Sequence, residues 1–270
     1  MKADLHFHPS FFSRGDKPHF TEFKTPSLEE ILNAMGQKGM EILTITSCST
    51  VSHIDTRWNK YAKEADNLGV EFSENSSENE NGLFFEDYDR HSLYLLHGQE
   101  FKTDKGDINV IGAESRVPIE NSNGNFYWML SAAKDSGHNV IITIPHPSRG
   151  LKIDPTELEK LYREGKIDAL ESYDSLDTSY GNKVSSQINQ TTGIPGIAVS
   201  DGHRIKDMGK SRIFIRDIRS KEQLTYENLT KQLKDKIRTR DFITTRDPSP
   251  LTSRILYLAR LGNAILLPNY

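Results

Sequence analysis

A single cysteine, Cys48, stands among 270 residues, which excludes an internal disulfide and suits a reducing compartment. No run approaches the eighteen or more apolar residues of a membrane span, and the first residues lack the positive-then-apolar order of a secretory signal. A cytoplasmic protein without a membrane partner is expected. Basic charge is short as well: 34 lysines and arginines face 38 acidic residues, a net charge of −4. With neither a basic stripe nor an aromatic stacking platform, nucleic acid is not supported as a partner, and an anionic substrate has to be held by local groups. No internal repeat is evident.

What is present is an alternation of short apolar runs with helical patterns, the rhythm of an α/β domain. "ADLHFH" reads as a first strand. "SLEEILNAMGQKG" reads as a helix, with Ser27 as N-cap, Glu30 three residues on, and Gly36 or Gly39 at its end. "MEILTIT" follows as a strand and residues 55–68 as a charged helix. The Ser, Glu and Asn-rich stretch around 71–91 reads as a solvated insertion. "SLYLLHGQE" and "GDINVIG" form a hairpin across Asp104 to Gly106. Three strand-and-helix units follow, at "NVIITIPH" with 154–164, "IDALESY" with 181–190, and "GIAVSDGH". Residues 211–245 add a strand, a helix over about 221–236 and another strand, and 249–267 reads as a terminal helix. One domain spanning 1–270, a barrel or a doubly wound sheet, is expected, with its chemistry at the C-terminal strand ends.

Four strands finish in imidazole or carboxylate. His6 and His8 are two apart on the first strand, so both leave one face, and strict alternation puts Asp4 on that face too. Pro9 stops pairing directly after them. Glu100 ends "SLYLLHGQE", His146 ends "NVIITIPH", and Asp201 and His203 repeat the two-residue spacing in "SDGH". Such side chains are costly in a core unless something binds them, and together they suit Zn, Mn or Fe. A single ion needs three or four ligands, so six candidates point to at least two ions, about 3.5–4 Å apart and bridged by a carboxylate.

In order and spacing, "DLHFH", "TITSC", "GQE", "IPHPSRG" and "SDGH" resemble the PHP family, named for polymerase and histidinol phosphatase. The resemblance covers most of the chain. It implies a distorted seven-stranded (β/α) barrel and a metal-dependent phosphoesterase in which His6, His8, Glu100 and Asp201 hold one ion, while Glu100 and His146 serve a second. The chain departs from the family in three places. Cys48 stands where a third-ion histidine is usual, Asn109 stands where the strand after the glutamate carries a histidine, and Ser13 or Arg14 occupies a further ligand position, with Asp16 and His19 just beyond. Two divalent ions are therefore expected, and the third lacks its usual histidine. Asn109 can still offer a carbonyl oxygen. Cys48 is either a thiolate ligand, sharing a third ion with His203, or a small buried residue. His53 is expected at the surface.

The chemistry so implied is attack on phosphorus by a metal-bound hydroxide, formed near neutral pH because the ion acidifies its water. Arg149 in "HPSRG" is expected to bind phosphate through its guanidinium fork, with Arg204 as a second candidate. His203 could ligate a third ion, protonate the leaving group or support another ligand. The substrate class is a small phosphorylated metabolite or nucleotide. Alternatives are an amidohydrolase-like metalloenzyme, which also opens with His-x-His, and a degenerate PHP domain that binds metal or nucleotide without turnover.

Overall fold

The computed structural model describes residues 1–9, 25–49, 57–67, 82–86, 92–113, 117–118, 122–218 and 225–249. In chain order the elements are β1 (Lys2–Phe7), α1 (Leu28–Lys38), β2 (Ile42–Ser49), α2 (Arg57–Asn67), β3 (Gly82–Glu86), β4 (Ser92–Thr103) and β5 (Gly106–Ile111). They continue with α3 (Phe126–Asp135), β6 (Ile141–Ile144), α4 (Pro155–Arg163), β7 (Ala169–Asp174), α5 (Ser179–Thr192), β8 (Gly196–Val199), β9 (Ser211–Ile215), α6 (Tyr226–Thr239) and β10 (Phe242–Arg246).

Local chemistry sets most of these boundaries. Ser27 Oγ accepts the Glu30 amide at 3.2 Å and the Glu30 carboxylate accepts the Ser27 amide at 2.7 Å, the reciprocal cap foreseen for α1. Gly39, in the left-handed region, ends that helix. Helix α6 begins at Tyr226 rather than near 221, because Thr225 caps it. Two elements were not foreseen. Asn125 caps α3, whose opening Phe-Tyr-Trp carries weak helical preference but packs Phe126, Met129 and Leu130 into the core. Within the stretch expected as an insertion, the Leu-Phe-Phe run of β3 pairs antiparallel with the first half of β4. The rest of that stretch, residues 250–267 of the expected terminal helix, and Ser13, Arg14, Asp16, His19 and His53 lie outside the described residues.

All ten strands among the described residues join one sheet, in the order β10-β9-β1-β2-β4-β5-β6-β7-β8, with β3 attached to β4. β1, β2 and β4 run parallel, as do β6, β7 and β8, while β5 is antiparallel to both its neighbours. The far ends meet. Phe7 bridges Gly202 just past β8, where the His8 amide donates to Gly202 O at 2.8 Å and the Asp201 amide to His6 O at 3.0 Å. A mixed α/β barrel, nearly closed, results.

The strand count differs from the seven expected, because two strand edges are shared. The start of β1 pairs with β9 and its end reaches Gly202. Twelve-residue β4 pairs with β3 over Ser92 to Leu96 and with β5 over Gly98 to Thr103.

Pairing registers show what fills the barrel. On β2 the inward residues are Ile42, Thr44, Thr46 and Cys48, and opposite them on β4 stand Tyr94, Leu96, Gly98 and Glu100. Each strand thus grades from apolar through hydroxyl or glycine to charged or soft groups toward its C-terminal end. The apolar floor is Ala3, Leu5, Ile42, Leu96, Ile111, Ile141, Ala169 and Ile197, plugged by Leu229, Leu233 and Ile237 of α6. Outside, α1 and α2 cover one flank with Leu28, Ile31, Met35, Trp58 and Tyr61, and α3 and α4 cover the other with Phe126, Met129, Leu158 and Leu161. Each such buried side chain contributes about 1.5–3 kcal/mol. No helix among the described residues is long and apolar enough to cross a membrane.

Candidate metal centre

Two bulges aim the polar end of the barrel. In β1, Asp4 pairs with Leu43 and Phe7 with Ile45, so residues three apart share a face and one extra residue sits between them. His6 and His8, flanking Phe7, therefore turn inward while Asp4 does not. The expectation that Asp4 shares their face fails for that reason. Its carboxylate accepts the Ser200 amide at 3.1 Å and the Gly209 amide at 2.8 Å, and burial raises its pKa to about 6. Asp4 braces the strand junction instead of facing the centre. The second bulge, between Glu171 and Tyr173 of β7, brings Asp174 to the same interior as Glu171.

Two groups of donors converge. His6 Nε2 lies 2.9 Å from His8 Nε2, and Asp201 Oδ1 lies 3.7 Å from the first and 3.5 Å from the second. Glu100 divides its oxygens: Oε2 lies 3.4 Å from His8 Nε2, and Oε1 lies 2.9 Å from His146 Nε2. Around the second oxygen, Glu100, Asp107 and His146 each offer one atom within 4.8 Å of the others. Donors held about 2.0–2.2 Å from one tetrahedral ion stand about 3.3–3.5 Å apart, so these separations are those of ligands around a shared centre.

Other groups hold the donors in place. His6 Nδ1 lies 2.7 Å from Glu171 Oε1, and His8 Nδ1 donates to Thr46 O at 2.9 Å, which turns each Nε2 toward the centre. Glu171 Oε2 accepts the His146 amide at 3.1 Å, so one carboxylate supports both donor groups. His146 and Asp201 adopt positive φ, 28° and 47°, a backbone state of order 1–3 kcal/mol above the ordinary one. Asn123, Asp217 and Arg240 share that backbone region away from the donor groups.

The charge balance also suits a cation. Glu100, Glu171, Asp174 and Asp201 are buried, and Arg149 is the guanidinium set among them. Burial opposes charge on His6, yet the Glu171 carboxylate overcomes it and raises that pKa well above the usual value. His146 is depressed by burial and by Arg149 but raised more by Glu100, to about 9. Burial likewise disfavours the Glu100 and Asp201 anions, which neighbouring histidines, and Arg149 for Asp201, nevertheless hold below the carboxylate range. Asp107 is raised to about 6 by burial and then by Glu100. A bound divalent ion would replace the protons that burial among carboxylates favours on His6 and His146.

The expected residues are distributed as follows. His6, His8, Glu100, His146 and Asp201 come together. His203 joins their edge, its ring centroid 4.7 Å from that of His8, with Nδ1 donating to Asp201 O at 2.8 Å. Burial and the nearby His8 lower its pKa to about 3, so it is neutral, with Nε2 as an acceptor. Asn109 stands directly across from Glu100 on β5. Cys48 stands across from Glu100 on β2, in neither donor group, and burial followed by the Glu100 charge keeps it a thiol. Arg149 directs its fork at Asp201, 2.8 Å away, and at Asp174, with Asp177 at 3.7 Å. Arg204 turns to Asp207, 3.0 Å away.

Sequence reading missed Asp107, Glu171 and Asp174. Asp107 is two residues before Asn109 on one strand, a spacing that could have flagged it. Glu171 could have been found as the inward residue of "ALESYD". Asp174 could not, because a bulge decides its face.

No family model matches the sequence, and neither does any curated protein. Solved structures do match. PsfC from Pseudomonas syringae superposes with a TM-score of 0.56 at 10% identity, covering 98% of this chain and 98% of that one. A two-domain protein from Bacteroides vulgatus, containing a predicted PHP-like metal-dependent phosphoesterase, also superposes with a TM-score of 0.56, at 16% identity, covering 91% of this chain and 64% of that one. This chain thus spans less than two thirds of that protein's length. At these identities the likeness is one of fold, and the PHP resemblance read from the motifs has its counterpart in the architecture.

Proposed function

We propose that this chain is a metal-dependent phosphoesterase that acts on a small phosphorylated metabolite or nucleotide. The observation that carries the proposal is the division of Glu100, whose two oxygens address His8 at 3.4 Å and His146 at 2.9 Å. One carboxylate thereby joins two donor groups, as a centre for two ions requires. His6, His8, Asp201 and Glu100 would hold one ion; Glu100, His146 and Asp107 would hold the other. Imidazole and carboxylate donors suit Zn, Mn or Fe. When bound, such ions supply an acidified water and positive charge against the phosphate oxygens.

The chain's own groups do the rest. Glu171 and Thr46 O keep the Nε2 atoms of His6 and His8 aimed inward. Arg149 anchors Asp201 and Asp174, and its longest contact, 3.7 Å to Asp177, is the one that an incoming phosphate oxygen would displace. His203, neutral and with Nδ1 committed to Asp201 O, would take a proton at Nε2 rather than give one. Arg204, committed to Asp207, would reach substrate only by leaving that pair.

The test is phosphate release from an aryl phosphate by metal-loaded protein, with His6→Ala and Asp201→Ala expected to abolish it. Retained turnover in both variants would reject the proposal. Cleavage of amides or lactones with no action on phosphoesters would favour the amidohydrolase reading. The replacements at Cys48 and Asn109 favour a second reading, a binding domain without turnover, which bound phosphate that is never released as product would support.

A further inference from the structure

The two donor groups differ in chemistry and depth. The first, His6, His8 and Asp201, is fully buried and supplies two imidazoles and a carboxylate. The second is richer in oxygen, with Glu100 and Asp107 as carboxylates and His146 as imidazole. Beside it lies a further unused oxygen. Asn109 is fully buried, and among the described residues its Oδ1 has no hydrogen-bond partner. Its Nδ2 faces Leu5 O at 3.5 Å, and since a carbonyl only accepts, the nitrogen end is fixed there and the oxygen end is turned away from it. Asn109 pairs with Glu100 across the β4–β5 ladder, and Asp107, two residues earlier on the strand, shares their face. An amide oxygen buried without a partner is destabilising, and a cation held with Glu100 and Asp107 would offset that. Asp107 itself is only half-buried, next to the Thr103–Gly106 turn that closes the hairpin.

We propose that the two positions bind different cations: the buried His6–His8–Asp201 position retains zinc, whereas Glu100, Asp107, Asn109 and His146 form an oxygen-rich position that takes an exchangeable Mn2+. Imidazole-rich sites suit zinc, while carboxylate and carbonyl oxygens suit manganese and harder ions. Asp107 and Asn109 together do the work of the imidazole that Asn109 replaces, at the price of zinc preference. This inference rests on the two-ion centre proposed above, but it is tested by binding alone.

Chelator-stripped protein is reloaded with one equivalent of zinc and titrated with Mn2+. Bound manganese is followed by electron paramagnetic resonance, and metal content is measured after desalting. Wild type is expected to keep one zinc through desalting and to bind one Mn2+ that desalting removes. Asp107→Asn, which preserves shape, should weaken manganese more than about tenfold and leave zinc content unchanged. Asn109→His should shift the second position toward zinc, so that a second zinc survives desalting. Two zincs held alike by wild type, or wild-type manganese affinity in Asp107→Asn, would overturn the inference. If the metal pattern holds but no phosphoester is cleaved, the proposed activity fails while this inference stands; cleavage with two identical ions does the reverse.

Discussion

At the level of single residues, the difference between Asp4 and His6 is the most instructive. They are two apart in sequence, yet one braces backbone and the other faces the candidate metal centre, because of one extra residue in the β1 register. Asp4→Ala leaves the Ser200 and Gly209 amides without acceptors in a buried setting and is expected to lose about 2–5 kcal/mol in denaturant unfolding. Metal content per folded molecule should not fall; if it does, Asp4 is a ligand after all. Glu171 has the opposite profile. With His6 Nδ1 and the His146 amide both on its carboxylate, Glu171→Gln should weaken retention of the first ion about 10–100-fold, as read by competition with a chelator. Unchanged affinity would remove Glu171 from the centre. For Cys48 the sign is set by the neutral form. Burial, followed by the Glu100 charge, raises its pKa, so little thiolate exists near pH 8 and alkylation of metal-free protein should be slow, rising as the medium becomes more alkaline. Rapid modification near neutral pH, followed by mass spectrometry, would show a thiolate there.

Among the elements, strands whose character grades along their length build the site, and the clearest case is the β2–β4 pair. Ile42, Thr44, Thr46 and Cys48 face Tyr94, Leu96, Gly98 and Glu100 in register, and Gly98 is small because a Cβ there would stand 2.5 Å from Thr44 Cγ2. Gly98→Ala should therefore cost about 1–3 kcal/mol by overpacking. Adding Thr44→Ser, which removes that methyl and keeps the hydroxyl, should restore much of the loss in the same unfolding assay. No rescue would place the strain elsewhere. The α1 boundaries were legible because the capping pair Ser27 and Glu30 and the terminal Gly39 are local signals. Helix α3 and strand β3 were not: an aromatic start hides a helix that forms by packing on the core, and a charged, Asn-rich surrounding hides a short strand that forms by pairing with the start of β4.

For the whole molecule, closure decides the chemistry. Residues nearly two hundred positions apart meet where Phe7 bridges Gly202, and the buried carboxylates gathered there are balanced by Arg149 and by His6 and His146, whose protons a divalent ion would replace. Ion binding should accordingly stabilise the fold. At about a hundredfold excess over Kd the gain is about 2.7 kcal/mol, so stripping with a chelator should lower Tm by roughly 5–10 °C in calorimetry and re-addition of metal should restore it. A Tm indifferent to metal would argue against a built centre. From sequence alone came the α/β class, the barrel-type alternation, and His6, His8, Glu100, His146 and Asp201 as candidate donors, because strand-end polar groups and turn residues are properties of short segments. Tertiary structure alone decided the ten-strand sheet, the outward turn of Asp4, the recruitment of Asp107, Glu171 and Asp174, and the commitment of Arg149 to carboxylates. Those outcomes depend on registers, bulges and edge sharing between strands far apart in the chain, which no local pattern encodes.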